Sequence, residues 1–342
     1  MIKTPMAIET LVTVPFAEPL FRRLEGVSSR LNITSFLAAR AEEIPPEVWQ
    51  RTEILYTANI VPPAESVPGL RWIQFHFAGI DRFVNEPIVQ QEGMLITTMS
   101  GAAAPQMAEY ALTMLLALGR KIPAMLASQK RSEWPKDRFD RFSPLELRGK
   151  TVGIVGYGSI GRQLARLLQP FGVTILATKQ NAKQPLDKDY SIEGLGDPQG
   201  DFVHRLYPAQ ALRSMLKECQ FVVVAVPLTP KTRGLLDATA LDVLPPGAYL
   251  VDISRGGIVD QAALLEALKN GKLAGAALDV FPEEPLPANN PLWQLPNVIL
   301  TPHISGGSPS YNERALELFS ENLHRYLGGL ALYNLFDPAR GY

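Results

Sequence analysis

Residues 151–161 read TVGIVGYGSIG. TVGIVG is a short, uninterrupted apolar run, the pattern of a strand buried on both faces. Beyond it Ile160, Leu164, Leu167 and Leu168 recur on one helical face until Pro170 and Gly172 stop the helix. The glycines between strand and helix have separate physical uses. Gly156 permits a tight turn, Gly158 lets a pyrophosphate approach the backbone, and Gly161 lets helix and strand pack closely. The helix N-terminus then presents unpaired N–H groups and the positive end of a dipole to an anion. A bare G-x-G-x-x-G is weak; a strand before it and a helix after it make it a dinucleotide-binding turn.

Downstream, the same alternation repeats. VTILAT (173–178), FVVVAV (221–226), AYLVDIS (248–254), LAGAALDV (273–280) and NVILTP (297–302) are short aliphatic runs bounded by Pro, Gly or a charge. Helical patterns separate them, the clearest from Asp260 to Asn270 with Gly271 as its stop. Continuously apolar strands alternating with helices predict a doubly wound α/β fold on a parallel sheet. The first hundred residues repeat the theme through IETLVTV (8–14), EILYT (53–57), WIQFHF (72–77) and MLITT (94–98), which predicts a second, smaller α/β domain. The stretch from Pro105 to about Lys130 reads as helical and apolar on most sides, hence buried, as a core helix, a domain connector or a subunit interface. Residues 180–208, broken by glycines and prolines, read as a long surface loop, a variable insertion with a functional lid as the alternative. Ser308-Pro309 opens a C-terminal helix with Leu316, Phe319, Leu323 and Leu327 on its inner face.

The bulk properties narrow the function classes. The 342 residues suffice for two domains with real cores. Net charge is −1, so no global field draws the chain to nucleic acid or a membrane surface. No apolar run reaches the roughly 18 residues needed to span a bilayer, and the N-terminus carries no secretion-signal pattern. The single cysteine, Cys219, precedes an apolar run and reads as a buried core residue. A cytoplasmic protein is the expectation, and no metal is called for.

A fold that binds NAD usually carries Asp or Glu roughly 20 residues past the turn, for the ribose 2′-hydroxyl. Here the second strand ends at Thr178 and Lys179, with Lys183 nearby. A cation there accepts a 2′-phosphate, which favours NADP(H) over NAD(H); a surface lysine that admits either cofactor is the alternative. Hydride chemistry on a carbonyl also needs a proton donor near neutral pH, and histidine is the obvious one. Of the four histidines, His76 follows a strand of the first domain, His204 lies in the 180–208 segment and His324 on the C-terminal helix. His303 stands at the end of the strand VILTP, where ligands bind in open α/β sheets. The same position on neighbouring strands holds Arg255 and Asp279, with Glu283 and Glu284 just beyond. A guanidinium holds a carboxylate bidentately, and a glutamate bonded to His303 favours the protonated imidazole.

The ordered set GYGSIG, VPLTPKTRGLL, ISRGGIVD, ALDVFPEEPLP and TPHISGG resembles the D-isomer-specific 2-hydroxyacid dehydrogenase family, of glyoxylate/hydroxypyruvate reductase type, from about Leu70 to Gly307. The resemblance implies a Rossmann-type cofactor domain, residues 102–308, inserted into a flavodoxin-like substrate domain made of 1–101 and 309–342. It implies Arg255 as substrate-binding arginine, His303 as catalytic acid/base and Glu284 as its orienting carboxylate. It implies cofactor contacts from Gly156, Gly158, Ser159, Ile160, Gly161, Pro227, Ile253, Ser254, Asp279 and Gly306. Ala78 and Gly79 resemble the turn whose N–H groups hold the substrate carboxylate, and Phe75, Phe77 and Tyr311 are candidates for shaping the pocket. The 105–130 helix resembles the segment through which members form homodimers. The implied chemistry is reduction of a small 2-oxo acid in a cleft that closes between the domains. Phosphite oxidation by the same Arg-Glu-His set and a non-enzymatic, nucleotide-sensing scaffold of corepressor type are the alternatives. Asp252 and the stretch GAAAPQMAEY (101–110) depart from the family, standing where it often has asparagine.

Overall fold

The computed structural model describes residues 7–187 and 189–341. The chain divides into two compact units, Met1–Ala102 with Ser308–Tyr342, and Ala103–Gly307.

The smaller unit is built on strands β1 (Ile8–Val12), β2 (Leu31–Ser35), β3 (Ile54–Thr57), β4 (Trp72–Phe75) and β5 (Leu95–Thr97). All pairs are parallel, in the order β2-β1-β3-β4-β5. This is the flavodoxin-like doubly wound order. One sheet face buries Leu11, Leu55, Ile73 and Ile96. The Tyr311–Leu327 helix belongs to the same unit and buries Leu316, Phe319 and Leu323, with the Phe319 ring 4.6 Å from Tyr56 and 5.5 Å from Trp72. Phe75 is a core residue, 1% exposed and stacked on Phe83, so it lines no pocket. Strand β2 was not evident in the sequence because it is an edge strand whose residues are mostly half-exposed.

The larger unit carries β6 (Thr151–Val155), β7 (Thr174–Lys179), β8 (Arg205–Pro208), β9 (Phe221–Val224), β10 (Ala248–Asp252), β11 (Leu273–Leu278) and β12 (Val298–Leu300). They form one parallel sheet in the order β12-β11-β10-β9-β6-β7-β8. The strand order reverses direction between β6 and β9, the switch point at which doubly wound sheets take their ligands. Two apolar layers cover the sheet. One includes Leu216, Leu250 and Leu268, the other Leu115, Leu164 and Ile175.

Two sequence expectations need correction. The 105–130 segment is two helices, Ala104–Gly119 and Ile122–Lys130, bent by 66°. Lys121 takes a left-handed φ of 56° between them, and Pro123 sits in the first turn of the second helix, where its missing N–H breaks no hydrogen bond of that helix. The first helix buries Ala108, Ala111, Leu115 and Leu118, whereas the second leaves Ile122 and Leu126 exposed. Among the described residues no single helix is long and apolar enough to cross a membrane.

Residues 180–208, in turn, are not simply a surface loop. They end in β8, which pairs with β7, and before it they fold against the Ser159–Leu168 helix. Asp197, 3% exposed, accepts the N–H groups of Gly200, Asp201 and Phe202 and the hydroxyl of Tyr157. Arg162, 2% exposed, donates to the carbonyls of Asp197 and Pro185 and faces the Asp187 carboxylate at 3.0 Å. Glycine- and proline-rich sequence carries no periodicity, so this packing is invisible until the partners meet.

Candidate active site

The strands β6, β9, β10, β11 and β12 lie side by side, and each is followed within three residues by one singled out above. Gly156 follows β6 with φ 105°, a conformation open to glycine. A Cβ at that position would stand 2.7 Å from Val226 Cγ1 and 2.8 Å from the Ala225 carbonyl, so the turn lies tight against the chain leaving β9. A Cβ on Gly161 would overlap the Gly156 carbonyl oxygen. Gly158 differs: a Cβ there would meet nothing within 4 Å. It is the N-cap of the Ser159–Leu168 helix and brings no side chain to the first-turn N–H groups around Ser159 and Ile160. Open space beside uncapped helical N–H groups fits a pyrophosphate. The cofactor implied by the glycine pattern therefore suits the residues present.

Thr178, at the end of β7, braces this turn. Its hydroxyl accepts the Gly156 N–H at 3.1 Å and its carbonyl the Tyr157 N–H at 2.9 Å. Lys179 extends from the next position and donates to the Leu186 carbonyl at 3.2 Å. Burial, then the Arg162 charge, lowers the pKa of its ammonium, while Asp187 and Asp189 act the other way. After β9, the exposed Pro227 offers its carbonyl to the Thr232 hydroxyl at 2.6 Å.

Beyond β10, Ile253 and Ser254 are buried, and Arg255 is half-buried with Nη1 donating to the Ser254 carbonyl at 2.9 Å. Ser254 turns inward, both its N–H and its hydroxyl donating to Asp252 Oδ1. Burial pushes the Asp252 carboxyl up to about 7; the Ser254 hydrogen bonds oppose this and the neighbouring Asp279 adds to it. Gly256 follows Arg255, and a Cβ on it would overlap the Phe281 carbonyl, so the Arg255 loop lies directly against the chain leaving β11.

That chain carries Glu284. One carboxylate oxygen accepts the Phe281 N–H at 2.9 Å, and the other lies 2.8 Å from Nδ1 of His303. A carboxylate only accepts, so Nδ1 carries a hydrogen and Nε2 points away from Glu284. His303 itself is exposed. Asp279, fully buried, accepts the Thr301 hydroxyl at 2.6 Å, the Ile304 N–H at 2.9 Å and the Ser305 N–H at 2.8 Å. Its visible work is to shape the loop on which His303 sits. Gly306 closes that loop, its carbonyl accepting Gln106 Nε2 at 2.9 Å.

In the smaller unit Ala78 is exposed and Gly79 half-buried, just past the C-terminal end of β4. His76, buried two residues before Ala78, has its Nδ1 2.7 Å from the Tyr56 hydroxyl, and burial lowers its pKa to about 4. Sequence reasoning overlooked Thr301 and Gln106. Nothing in their spacing signals a role, because each acts on a residue it meets only in the folded chain.

A glycine turn at the switch point, with an arginine and a histidine–carboxylate pair on neighbouring strand ends, defines a dinucleotide-binding protein of the dehydrogenase class. Residues 112–305 match the family model described as D-isomer specific 2-hydroxyacid dehydrogenase, NAD binding domain. A glyoxylate reductase of Thermococcus litoralis is 34% identical over 277 residues, 80% of this chain and 78% of that protein. A D-3-phosphoglycerate dehydrogenase of Methanocaldococcus jannaschii is 30% identical over 96% of this chain, which spans only 59% of that relative's length. Among solved structures, a D-isomer specific 2-hydroxyacid dehydrogenase from Xanthobacter autotrophicus, in complex with NADPH and MES, superposes with a TM-score of 0.77 at 27% identity, covering 98% of this chain and 100% of that one. The chain belongs to the D-isomer specific 2-hydroxyacid dehydrogenase family, a family of nicotinamide-dependent oxidoreductases.

Proposed function

We propose that the protein reduces a small 2-oxo acid to the D-2-hydroxy acid. The observation that carries this reading is the 2.8 Å His303–Glu284 pair, which joins the chains leaving β12 and β11, with β11 lying next to the β10 that leads to Arg255. Arg255 binds the substrate carboxylate and polarises the adjacent keto oxygen. The backbone N–H groups of Ala78 and Gly79 are further candidates for holding a substrate carboxylate. The bound nicotinamide supplies the hydride that adds to the keto carbon. His303 gives the proton on Nε2 to the oxygen, and Glu284 holds the ring at Nδ1 while it does so. The backbone at Gly156, Gly158, Ser159, Ile160 and Gly161 would hold the pyrophosphate, and Pro227, Ile253, Ser254, Asp279 and Gly306 are the candidates for holding the remainder of the cofactor. Replacing His303 by alanine is expected to lower turnover by about 10² or more. Unchanged reduction of glyoxylate, hydroxypyruvate and pyruvate by that variant would sink the assignment, and oxidation of phosphite alone would replace it.

NADP(H) is the preferred cofactor in this reading, with Thr178 at the ribose and Lys179, with the exposed Lys183, toward the 2′-phosphate. A glyoxylate/hydroxypyruvate reductase from Sinorhizobium meliloti, described as NADPH-dependent and holding NADP, has a TM-score of 0.76 at 25% identity and supports it. Fluorescence titration tests it: tighter binding of NADH than of NADPH reverses the preference. The exposed apolar side chains Ile122 and Leu126 support a homodimer formed through the 105–130 segment. Cytoplasmic residence, which the lone buried thiol of Cys219 suits, belongs to the same reading.

A further inference from the structure

His303 holds a φ of 51°, the left-handed region that a residue with a Cβ rarely occupies. Such a conformation persists only where its surroundings enforce it. β12 ends at Leu300, so the enforcing contacts must come within a few residues. Asp279 supplies three of them, to Thr301, Ile304 and Ser305. What steadies Asp279 and Thr301 has not been accounted for by the reaction.

A threonine hydroxyl has one proton to give. That of Thr301 goes to Asp279 Oδ1, 2.6 Å away. The Tyr110 hydroxyl lies 2.5 Å from the same Thr301 oxygen, so Tyr110 must be the donor of that bond. Burial pushes the phenol up to about 12, against the Thr301 hydrogen bond and together with the Asp279 charge, so the donor keeps its proton. The result is a one-way chain from Tyr110 to Thr301 to Asp279. Each link polarises the next. Four residues before Tyr110, and on the same face of the Ala104–Gly119 helix, Gln106 donates to the Gly306 carbonyl at 2.9 Å. One helix therefore grips the His303 loop at both ends.

We propose that Tyr110 is a positioning residue for His303, acting through the Thr301 hydroxyl and the Asp279 carboxylate to hold the loop backbone where the imidazole meets Glu284. The proposal rests on His303 being the proton donor. Losing the phenol hydroxyl leaves Thr301 without a donor and frees the loop to drift. Drift of an ångström or less at a catalytic group lowers turnover by about 10- to 100-fold.

The test measures steady-state glyoxylate reduction with NADPH for four proteins: wild type, Tyr110→Phe, His303→Ala and the double variant. Tyr110→Phe is expected to lower kcat by about 10- to 100-fold with KM for glyoxylate little changed, because Arg255 is untouched. In the His303→Ala background the same change is expected to have no further effect, since there is no imidazole left to misplace. Thr301→Val, with and without Tyr110→Phe, repeats the comparison one link along, and again the second change should add nothing. A Tyr110→Phe enzyme with wild-type kcat overturns the proposal. So does an equal loss in both backgrounds, which marks a merely structural tyrosine. If His303→Ala alone keeps full turnover, the proton-donor reading falls and this proposal with it; if that variant loses turnover and Tyr110→Phe keeps the wild-type kcat, only the positioning role fails.

Discussion

Replacing Asp252 by asparagine should stabilise the protein, and only above a definite pH. Asp252 is buried at the end of β10, and its carboxyl has been pushed from the ordinary 3.8 up to about 7. Below about pH 4 the group is neutral in the folded and unfolded chains alike, so ionisation costs nothing. Between about pH 4 and pH 7 the unfolded chain has lost this proton and the folded chain keeps it. Stability therefore falls as pH rises through this window, by ~1.4 kcal/mol per pH unit, to a full cost of at most about 4 kcal/mol. Asparagine removes that cost. It reproduces the protonated acid: its Oδ1 can accept the Ser254 N–H and hydroxyl, as Asp252 Oδ1 does, and its amide donates where the acid proton would. At ~2–4 °C per kcal/mol for a domain of this size, the midpoint of thermal unfolding should rise by up to about 8–16 °C at alkaline pH. Thermal melts of both proteins from acid to alkaline pH would show it. The gap between them should open as pH rises toward 7 and then stay constant. A gap that is independent of pH, or one that closes with rising pH, refutes the reasoning, because it would mean that Asp252 is ionised in the fold throughout.

Two glycines of the same turn should respond differently to alanine. Gly161→Ala forces a Cβ onto the Gly156 carbonyl and within 3.0 Å of Ile154 Cγ2, costing about 1–3 kcal/mol, which urea unfolding would detect. Gly158→Ala meets nothing within 4 Å and has an ordinary extended backbone, so stability should hold while cofactor titration shows weakened binding; intact binding would show that no phosphate lies there. Arg255→Gln should lower kcat/KM for a 2-oxo acid by about 10- to 100-fold, the loss of one charged hydrogen-bonded contact, mostly through KM. An unchanged kcat/KM would remove Arg255 from the substrate site.

Much of this arrangement was legible in the residues alone. The strands of the larger sheet announced themselves because a strand covered on both faces is apolar without interruption, as Phe221–Val224 is. The two strands that escaped, β2 and β8, are sheet edges, half-solvated or proline-ended, where that pressure is relaxed. Arg255, Glu284 and His303 could be picked out because reactive groups at the carboxyl ends of parallel strands share one side of a sheet. The break at Lys121 was missed because periodicity runs on through a bend as it does through a straight helix.

The sequence by itself determined the local units: which segments are strands, where the glycine turn falls, and which charges stand at strand ends. These follow from short-range chemistry, the period of apolar residues and the special backbone of glycine and proline. Only the tertiary structure decided how those units serve one another. Tyr110 and Thr301 are 191 residues apart, and Tyr157 and Asp197 40. A hydrogen bond requires its partners within about 3 Å, and nothing in a linear spacing encodes that meeting. The left-handed backbone of His303, the raised pKa of the Asp252 carboxyl and the hold of one helix on the His303 loop exist only where packing has brought distant side chains together and excluded water from between them.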